Sequence, residues 1–172
     1  MADDDVTLSG EIKGKLVDSK QKWAEEGRLM TGTTAAPTER LPPGQRLVET
    51  WPVLDLGIKP EIPTHAWRLF VDGEVESPVT MKWDEFQALP KTRLTTDIHC
   101  VTRWSKLDTH WEGVAIQAIL ELAQVRPTAT HVIGHAEQGY TANVPLSVLD
   151  DDDVLLADTF EGEPLTPDHG YP

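Results

Sequence analysis

Alternating hydrophobic and polar positions predict short strands along most of the chain. The runs in WRLFVDGEVE flank Asp72 and Gly73, a dipeptide typical of hairpin turns, so a β-hairpin is predicted there. The next segment, VTMKWDEFQALP, predicts a strand that leads into a short helix ended by Pro90. RLTTDIHCV predicts a strand with Cys100 at its C-terminal end, followed by a loop over residues 102–113.

One later segment has the spacing of an amphipathic helix. VAIQAILELAQV has a broad apolar face, formed by Val114, Ile116, Ala118, Ile119, Leu122 and Ala123. Beyond it, THVIGHA, YTANV and VLLADTF predict strands, PLSVLDDDD predicts a helical turn or loop, and EGEPL predicts a tight turn. Strands joined by both hairpins and crossovers, with few helices, indicate an α+β fold with a mixed β-sheet core.

The first part of the chain has a different pattern. From Ser9 to Gly27 the apolar positions fit one face of a helix. Residues 30–46 are rich in Thr, Pro and Gly and show no periodicity, which predicts an extended arm. We therefore predict two parts, an N-terminal helix with an extended Pro-rich arm over residues 1–46 and a folded domain over residues 47–172.

Composition and charge narrow the classes of partner. The chain has 172 residues, 39% of them hydrophobic, and six tryptophans, which is typical of a folded protein with a core. Its formal net charge of −14 disfavours nucleic acid and anionic membranes as partners. The start, MADDDVTLSGEIKG, lacks the basic and apolar regions of a secretory signal, and no apolar run is long enough to span a membrane. We expect a cytoplasmic protein.

The single cysteine, Cys100, is the most informative residue. One thiol excludes an intramolecular disulfide and a multi-cysteine zinc site, and the histidines on the strands show no zinc-site spacing such as HxxxH. The thiol could be a small buried hydrophobe, a nucleophile activated by His99, His110 or Arg103, or a thiolate ligand to a soft metal. Adjacent strand residues face opposite sides, so His99 is poorly placed to take the thiol proton. The residues alone leave these three roles open.

Several motifs around this cysteine resemble those of one enzyme family. DIHCVTRWS, WEGV, GYTANVPL and DVLLADTFEGEPLTPDHGYP occur in the order and with the spacing of sulfite-oxidase-like molybdopterin-dependent oxidoreductases. LPPGQRLVETWPVLDLG and WRLFVDGEVESPVTMKWDEFQALP extend the resemblance back to about residue 41. The chain looks like a member of the small, soluble, haem-free bacterial or archaeal branch. This resemblance implies that residues 47–172 form a molybdopterin-binding domain like the middle domain of sulfite oxidase.

The same resemblance implies a cofactor and a reaction. The cofactor would be molybdenum–molybdopterin, with no haem or flavin, because no binding motif for either is visible in the sequence. The reaction would transfer an oxygen atom to or from a small oxidised sulfur or nitrogen compound. Electrons would pass to or from a separate donor or acceptor protein.

The resemblance also implies roles for individual residues. Cys100 matches the cysteine whose thiolate binds molybdenum, and Arg103 is the basic group that would attract a substrate oxyanion. Sulfite oxidases carry a second arginine where this chain has Ser105, so sulfite is not the expected substrate. The expected cofactor-binding residues are Thr50, Trp51, Pro52, Val53, Leu54, His99, Cys100, Trp104, His135, Glu137 and His169.

One departure from the family lies at the end of the sequence. The family continues past the HGYP motif with a basic anchor for the cofactor phosphate and a tail that supplies a tyrosine, so we expect weak cofactor retention by this chain. The alternative function is that of a truncated, non-catalytic family member unable to hold the cofactor. A third is a metal-free thiol enzyme that uses Cys100.

Overall fold

The computed structural model describes residues 40–54 and 59–172. The predicted N-terminal helix and most of the predicted arm lie outside the described residues. Contacts within the chain divide it into two units, one of described residues up to Lys59 together with Thr95–Thr109, the other of Pro60–Leu94 and His110–Pro172. The predicted boundary between residues 46 and 47 stays a prediction.

The first unit is built on three strand segments. Strand β1 (Arg46–Leu47) pairs in parallel with the start of β5 (Trp104–Ala115), with Arg46 opposite Trp104. Strand β4 (Thr92–His99) pairs with β5, and both strands continue into the second unit. The buried side chains of this unit include Val48, Trp104, Ser105 and Thr109.

The prediction of a loop over residues 102–113 is wrong, because most of this stretch belongs to β5. Ser105 and Thr109 are both 0% exposed, so polar side chains occupy inward positions of the strand. Burial is tolerated because the hydroxyls are bonded, as where Thr109 Oγ1 donates to Thr96 O at 2.6 Å. A hydropathy pattern cannot detect a strand whose inward residues are polar. The predicted helix starts at Ile116 and not at Val114, because β5 extends to Ala115 and Val114 is a buried residue of that strand.

The predicted hairpin at Asp72 and Gly73 is also wrong. Strand β2 (Arg68–Val71) pairs antiparallel with β3 (Val79–Lys82), and the intervening run makes only an isolated bridge between Val75 and Val125. Val75 is 7% exposed, so its burial beside Val125, 50 residues further along the chain, outweighs local pairing. Choosing between these partners requires contacts from distant parts of the chain.

The core of the second unit is formed by side chains of β3, of helix α1 (Trp83–Gln87), of the end of β5 and of the helix that follows β5. The predicted strand leading into a helix is confirmed, and Lys82 N donates to Glu85 Oε2 at 2.7 Å at the start of α1. Trp67 and Trp83 meet edge to face with centroids 5.2 Å apart. The central buried side chains are Met81, Phe86, Val114 and Ile119. Each gains about 1.5–3 kcal/mol by leaving water.

The remaining predicted elements are confirmed. They are α2 (Ile116–Ala123), β6 (His131–His135), β7 (Thr141–Pro145), α3 (Leu146–Leu149) and β8 (Leu155–Phe160). Strand β9 (Glu163–Pro164), within the segment predicted as a tight turn, and the 3₁₀ turns at Glu137–Gly139 and Pro167–His169 were not predicted. β6 and β7 form an antiparallel hairpin, and β8 pairs antiparallel with β5. In the described residues no helix is long and apolar enough to cross a bilayer. The predicted α+β fold is confirmed.

Gly113 marks a close approach within the β5–β8 pair. The register shifts between Glu112 and Gly113, and a Cβ atom at Gly113 would lie 2.3 Å from the carbonyl oxygen of Leu156. Only glycine fits there because the obstructing atoms belong to the backbone.

Asp158 on β8 is a buried carboxylate, 8% exposed. It forms an ion pair with Lys91 and accepts a hydrogen bond from Gln87 Nε2. Burial by itself would raise the pKa of Asp158, but the hydrogen bonds from Lys91 and Gln87 outweigh it and hold the pKa below its usual value. The charged form of this carboxylate therefore stabilises the fold.

Candidate active site around Cys100

Cys100 lies directly after β4, at the start of a tight hairpin turn, as the strand pattern predicted. Arg103 N donates to Cys100 O at 3.0 Å, and Cys100 N donates to Trp104 O at 2.8 Å. These bonds close a three-residue loop in which Arg103 has a left-handed φ of +68°. The backbone of the residue that carries the thiol is thus fixed on both sides.

Cys100 is a half-buried residue, and its thiol accepts a hydrogen bond. Thr102 Oγ1 donates to Cys100 Sγ at 3.2 Å. A hydroxyl donor stabilises negative charge on sulfur, which is the charge state of a thiolate ligand. A half-buried cysteine residue is also unlike the fully enclosed position of an inert core cysteine.

The two nearest histidines in sequence have partners other than the sulfur. His99 Nδ1 lies 2.8 Å from Ser105 Oγ, and His110 Nδ1 lies 3.1 Å from Glu161 Oε2. Among the described residues, neither histidine forms a hydrogen bond with Cys100. The arrangement does not provide the bonded base that a nucleophilic thiol needs.

Arg103, three residues after Cys100, carries an available cation. Its side chain is exposed and forms no hydrogen bond or ion pair with any residue that the structure describes. Among the residues that the structure describes, three other non-glycine residues have positive φ, and the side chain of each forms a hydrogen bond. The bonded pairs are Asp108 with Arg40, Gln124 with Ser77, and Glu161 with His110. Arg103 therefore adopts a strained conformation without a partner that explains it.

Trp104 follows the turn and contributes a buried donor. The residue is 4% exposed, and Nε1 has no hydrogen-bond partner within the described chain. Leaving such a donor unsatisfied costs about 1–3 kcal/mol. A thiolate at Cys100 and an unsatisfied N–H donor four residues later fit a bound group that has a soft metal and acceptor atoms, so these residue types fit a molybdenum–pterin cofactor.

Gln45 is a site residue that the sequence analysis missed. Its Nε2 donates to Cys100 O at 3.0 Å, and its Oε1 accepts from Ser105 Oγ at 3.3 Å. The parallel pairing of β1 with β5 brings Gln45 to this place although it lies 55 residues before Cys100. No local pattern signals it, because Gln45 lies in the Pro- and Gly-rich stretch predicted as an arm.

The predicted segment from Thr50 to Leu54 follows β1 in the same unit as Cys100. Thr50, Val53 and Leu54 are exposed, and Trp51 and Pro52 are half-buried. Lys106 Nζ donates to Glu49 O at 2.8 Å and so ties the start of this segment to β5. Contact between this segment and a cofactor stays a prediction.

The other three predicted residues belong to the second unit. His135 ends β6 and Glu137 lies in a 3₁₀ turn, and both are exposed. His169 is half-buried in the last 3₁₀ turn, with Nδ1 3.3 Å from Thr166 Oγ1. Their roles in cofactor binding stay predictions.

One ion-pair cluster joins β4 and β5 near the turn that connects them. Arg40 bonds the carboxylates of Asp97 and Asp108, and Asp108 N donates to Asp97 Oδ1 at 2.9 Å. The Arg40 hydrogen bond, followed by that from Asp108 N, holds the pKa of Asp97 below its usual value, and both carboxylates raise the pKa of Arg40. The hairpin is thereby attached to the chain that precedes β1.

In the rest of the described chain, two features could mark another site, a group of metal-ligating side chains and a cleft. Within residues 40–54 and 59–172, no group of three or more His, Cys, Asp or Glu side chains is placed to hold a metal ion. A cleft of about 610 Å³ in the second unit is lined by residues of α2 and α3 and their flanks, and none of them is a predicted site residue. Neither observation offers a second site that contains a predicted residue, so the turn at Cys100 is the candidate site.

Comparison with known proteins agrees with these observations. Residues 56–172 match the family model described as an oxidoreductase molybdopterin-binding domain. An uncharacterized oxidoreductase, YuiH, of Bacillus subtilis (strain 168) is 42% identical over 134 residues, which are 77% of this chain and 68% of that protein.

A solved structure shares the fold. The sulfane dehydrogenase SoxCD of Paracoccus pantotrophus superposes with a TM-score of 0.56 at 24% identity, over 66% of this chain. This chain spans about a third (34%) of that one. With the family match over most of its length, the chain belongs to the molybdopterin-binding oxidoreductase family that its cysteine motif resembles.

Proposed function

We propose that this chain is a molybdenum-dependent oxidoreductase in which the thiolate of Cys100 is the protein ligand to the metal. The observation that carries the proposal is the half-buried residue Cys100 at a closed turn, with a hydroxyl donor 3.2 Å from its sulfur. Family membership supports a molybdopterin-binding oxidoreductase domain. The soft thiolate suits a soft, sulfur-bound metal.

The reaction proposed is transfer of one oxygen atom to or from a small oxidised sulfur or nitrogen compound. When bound, the molybdenum cofactor would supply two-electron oxygen-atom transfer, in which XO, two electrons and two protons become X and water, or the reverse. A separate donor or acceptor protein would exchange the two electrons. The residues of this chain bind and orient: Cys100 holds the metal, and Trp104 Nε1 offers a hydrogen bond to the cofactor.

Arg103 is proposed to attract the substrate oxygen atoms. Its exposed guanidinium is free to donate two parallel hydrogen bonds to an oxyanion. Ser105, where sulfite oxidases carry another arginine, is 0% exposed and bonded to His99 and Gln45, so it adds no second positive charge. A neutral or singly charged substrate fits this single cation better than the sulfite dianion.

The test compares metal content and activity in variants of the thiol. The chain is produced in a host that makes the cofactor, and molybdenum per chain is measured by mass spectrometry. Cys100→Ser and Cys100→Ala are expected to lower molybdenum content at least about ten-fold and abolish oxygen transfer, because a ligand is lost. Thr102→Val is the matched control: it removes the hydroxyl donor but keeps the ligand, so it is expected to lose much less metal than either Cys100 variant.

The outcomes separate the candidate functions. Equal molybdenum content in wild type and Cys100→Ala contradicts the proposal. A wild-type chain that acquires no molybdenum or pterin supports the non-catalytic alternative. Rapid alkylation of Cys100 at neutral pH, together with a metal-free activity lost in Cys100→Ala, supports the thiol enzyme.

A further inference from the structure

The backbone of Cys100 has one more hydrogen bond than closure of its turn requires. Its carbonyl oxygen accepts from Arg103 N, which closes the turn, and also from Gln45 Nε2 at 3.0 Å. A carbonyl oxygen only accepts, so the nitrogen of the Gln45 amide has to lie toward Cys100. The amide oxygen is then the acceptor for Ser105 Oγ, 3.3 Å away.

The hydrogen bond from Ser105 to Gln45 also decides whether Ser105 donates to or accepts from His99. A serine hydroxyl has one proton, and here it is donated to Gln45 Oε1. The Ser105 oxygen lies 2.8 Å from His99 Nδ1 and therefore accepts from it, so Nδ1 carries the proton of the neutral ring. Because Ser105 is 0% exposed, water does not compete for its hydroxyl.

We propose that Gln45 is a positioning residue of this site. One side-chain amide fixes the carbonyl of Cys100 and, through Ser105, the orientation and tautomer of His99. The exposed His99 ring is left with Nε2 as an acceptor for an N–H or O–H donor of the bound cofactor or substrate. This inference rests on the proposed function only for the role of Cys100 as metal ligand.

Two features distinguish positioning from general support of the fold. Backbone bonds from Arg103 and to Trp104 close the turn without Gln45, so loss of Gln45 is expected to loosen the turn without unfolding it. The whole chain of bonds also runs in one direction, from His99 through Ser105 and Gln45 to Cys100. Because a serine hydroxyl can either donate or accept, this directed chain is what decides which ring nitrogen of His99 is protonated.

The first test reads the tautomer of His99 on the metal-free full chain. Long-range ¹H–¹⁵N NMR at about pH 8.5, where free imidazole is neutral, reports which ring nitrogen carries hydrogen. Wild type is expected to show the Nδ1–H form, while Gln45→Met and Ser105→Ala shift the ring toward Nε2–H. Gln87→Met makes the same substitution at a hydrogen-bonded glutamine of the second unit and is expected to keep the wild-type signal.

The second test reads the mobility of Cys100 through alkylation of the only thiol by iodoacetamide. Loss of one net hydrogen bond of about 1 kcal/mol raises the open population roughly five-fold, so Gln45→Met should react about five times faster. Gln45→Glu keeps an acceptor for Ser105 and loses the donor to Cys100. It should therefore raise the alkylation rate and leave the His99 tautomer unchanged.

An Nε2–H ring in the wild type, or a Gln45→Met chain with wild-type tautomer and alkylation rate, would overturn the inference. Neither measurement requires molybdenum. Failure of the chain to acquire the metal would therefore contradict the proposed function and leave these results to be judged separately.

Discussion

Replacement of Arg103 by glycine should raise the thermal stability of the protein and lower kcat/KM of the proposed reaction. Arg103 has φ +68° at the third position of its turn, a conformation that favours glycine. Its side chain makes no compensating contact within the described residues, unlike those of the three other non-glycine residues with positive φ there. We therefore attribute the retained arginine to function.

The size of the effect follows from two opposing contributions. Relief of the left-handed conformation gains about 1–2 kcal/mol. The greater freedom of glycine in the unfolded chain costs about 0.4–1 kcal/mol. The difference lies between about 0 and 1.6 kcal/mol. At its midpoint of about 0.8 kcal/mol, and since each kcal/mol shifts the Tm of a domain of this size by about 2–4 °C, the Tm should rise by about 2–3 °C.

Arg103→Ala is the matched control, because it removes the same charge and keeps the left-handed strain. Thermal unfolding followed by circular dichroism should place its Tm below that of Arg103→Gly. In steady-state assays with sulfur and nitrogen oxides, both variants should lose at least about ten-fold in kcat/KM, the effect of losing one charged hydrogen bond of about 1.5 kcal/mol or more. Arg103→Lys should recover part of that loss.

Two results would refute this reasoning. If Arg103→Gly melts no higher than Arg103→Ala, the positive φ stores no strain. If either uncharged variant retains wild-type kcat/KM for an anionic substrate, the guanidinium does not bind the substrate.

Two other predictions concern stability. The pKa of Asp158 is lowered in the folded state, so its contribution is present above the unfolded value of about 3.9 and is lost as pH falls through the folded pKa. Urea unfolding against pH should show a loss of stability below about pH 4 that is reduced in Asp158→Asn, and an unchanged profile would contradict the ion pair with Lys91. Gly113→Ala should destabilise by about 3 kcal/mol or more, because its Cβ meets the backbone of Leu156 at 2.3 Å. Gly134→Ala, whose Cβ meets its nearest atom at 3.7 Å, should change stability by less than about 0.5 kcal/mol, and equal effects at the two glycines would refute the close approach.

Local patterns predicted the elements whose residues follow the usual rules. Alternation predicted β4 with Cys100 at its end, and helical spacing predicted α2. These succeeded because strand and helix periods are properties of consecutive residues. The order of motifs also indicated the family, which the match over residues 56–172 confirms.

Tertiary structure decided the features that depend on distant partners or on buried polar groups. β5 was missed because Ser105 and Thr109 are buried, and only their hydrogen bonds make that burial tolerable. β2 pairs with β3, past the nearer run, because Val75 is buried by a distant segment.

The candidate site shows the same division. The sequence by itself determined that a lone thiol ends a strand beside Arg103 and Trp104. Only the tertiary structure placed Gln45 against the carbonyl of Cys100, because a parallel pair with β1 joins residues far apart in the chain. The left-handed backbone of Arg103 likewise follows from closure of the turn, which no property of arginine predicts.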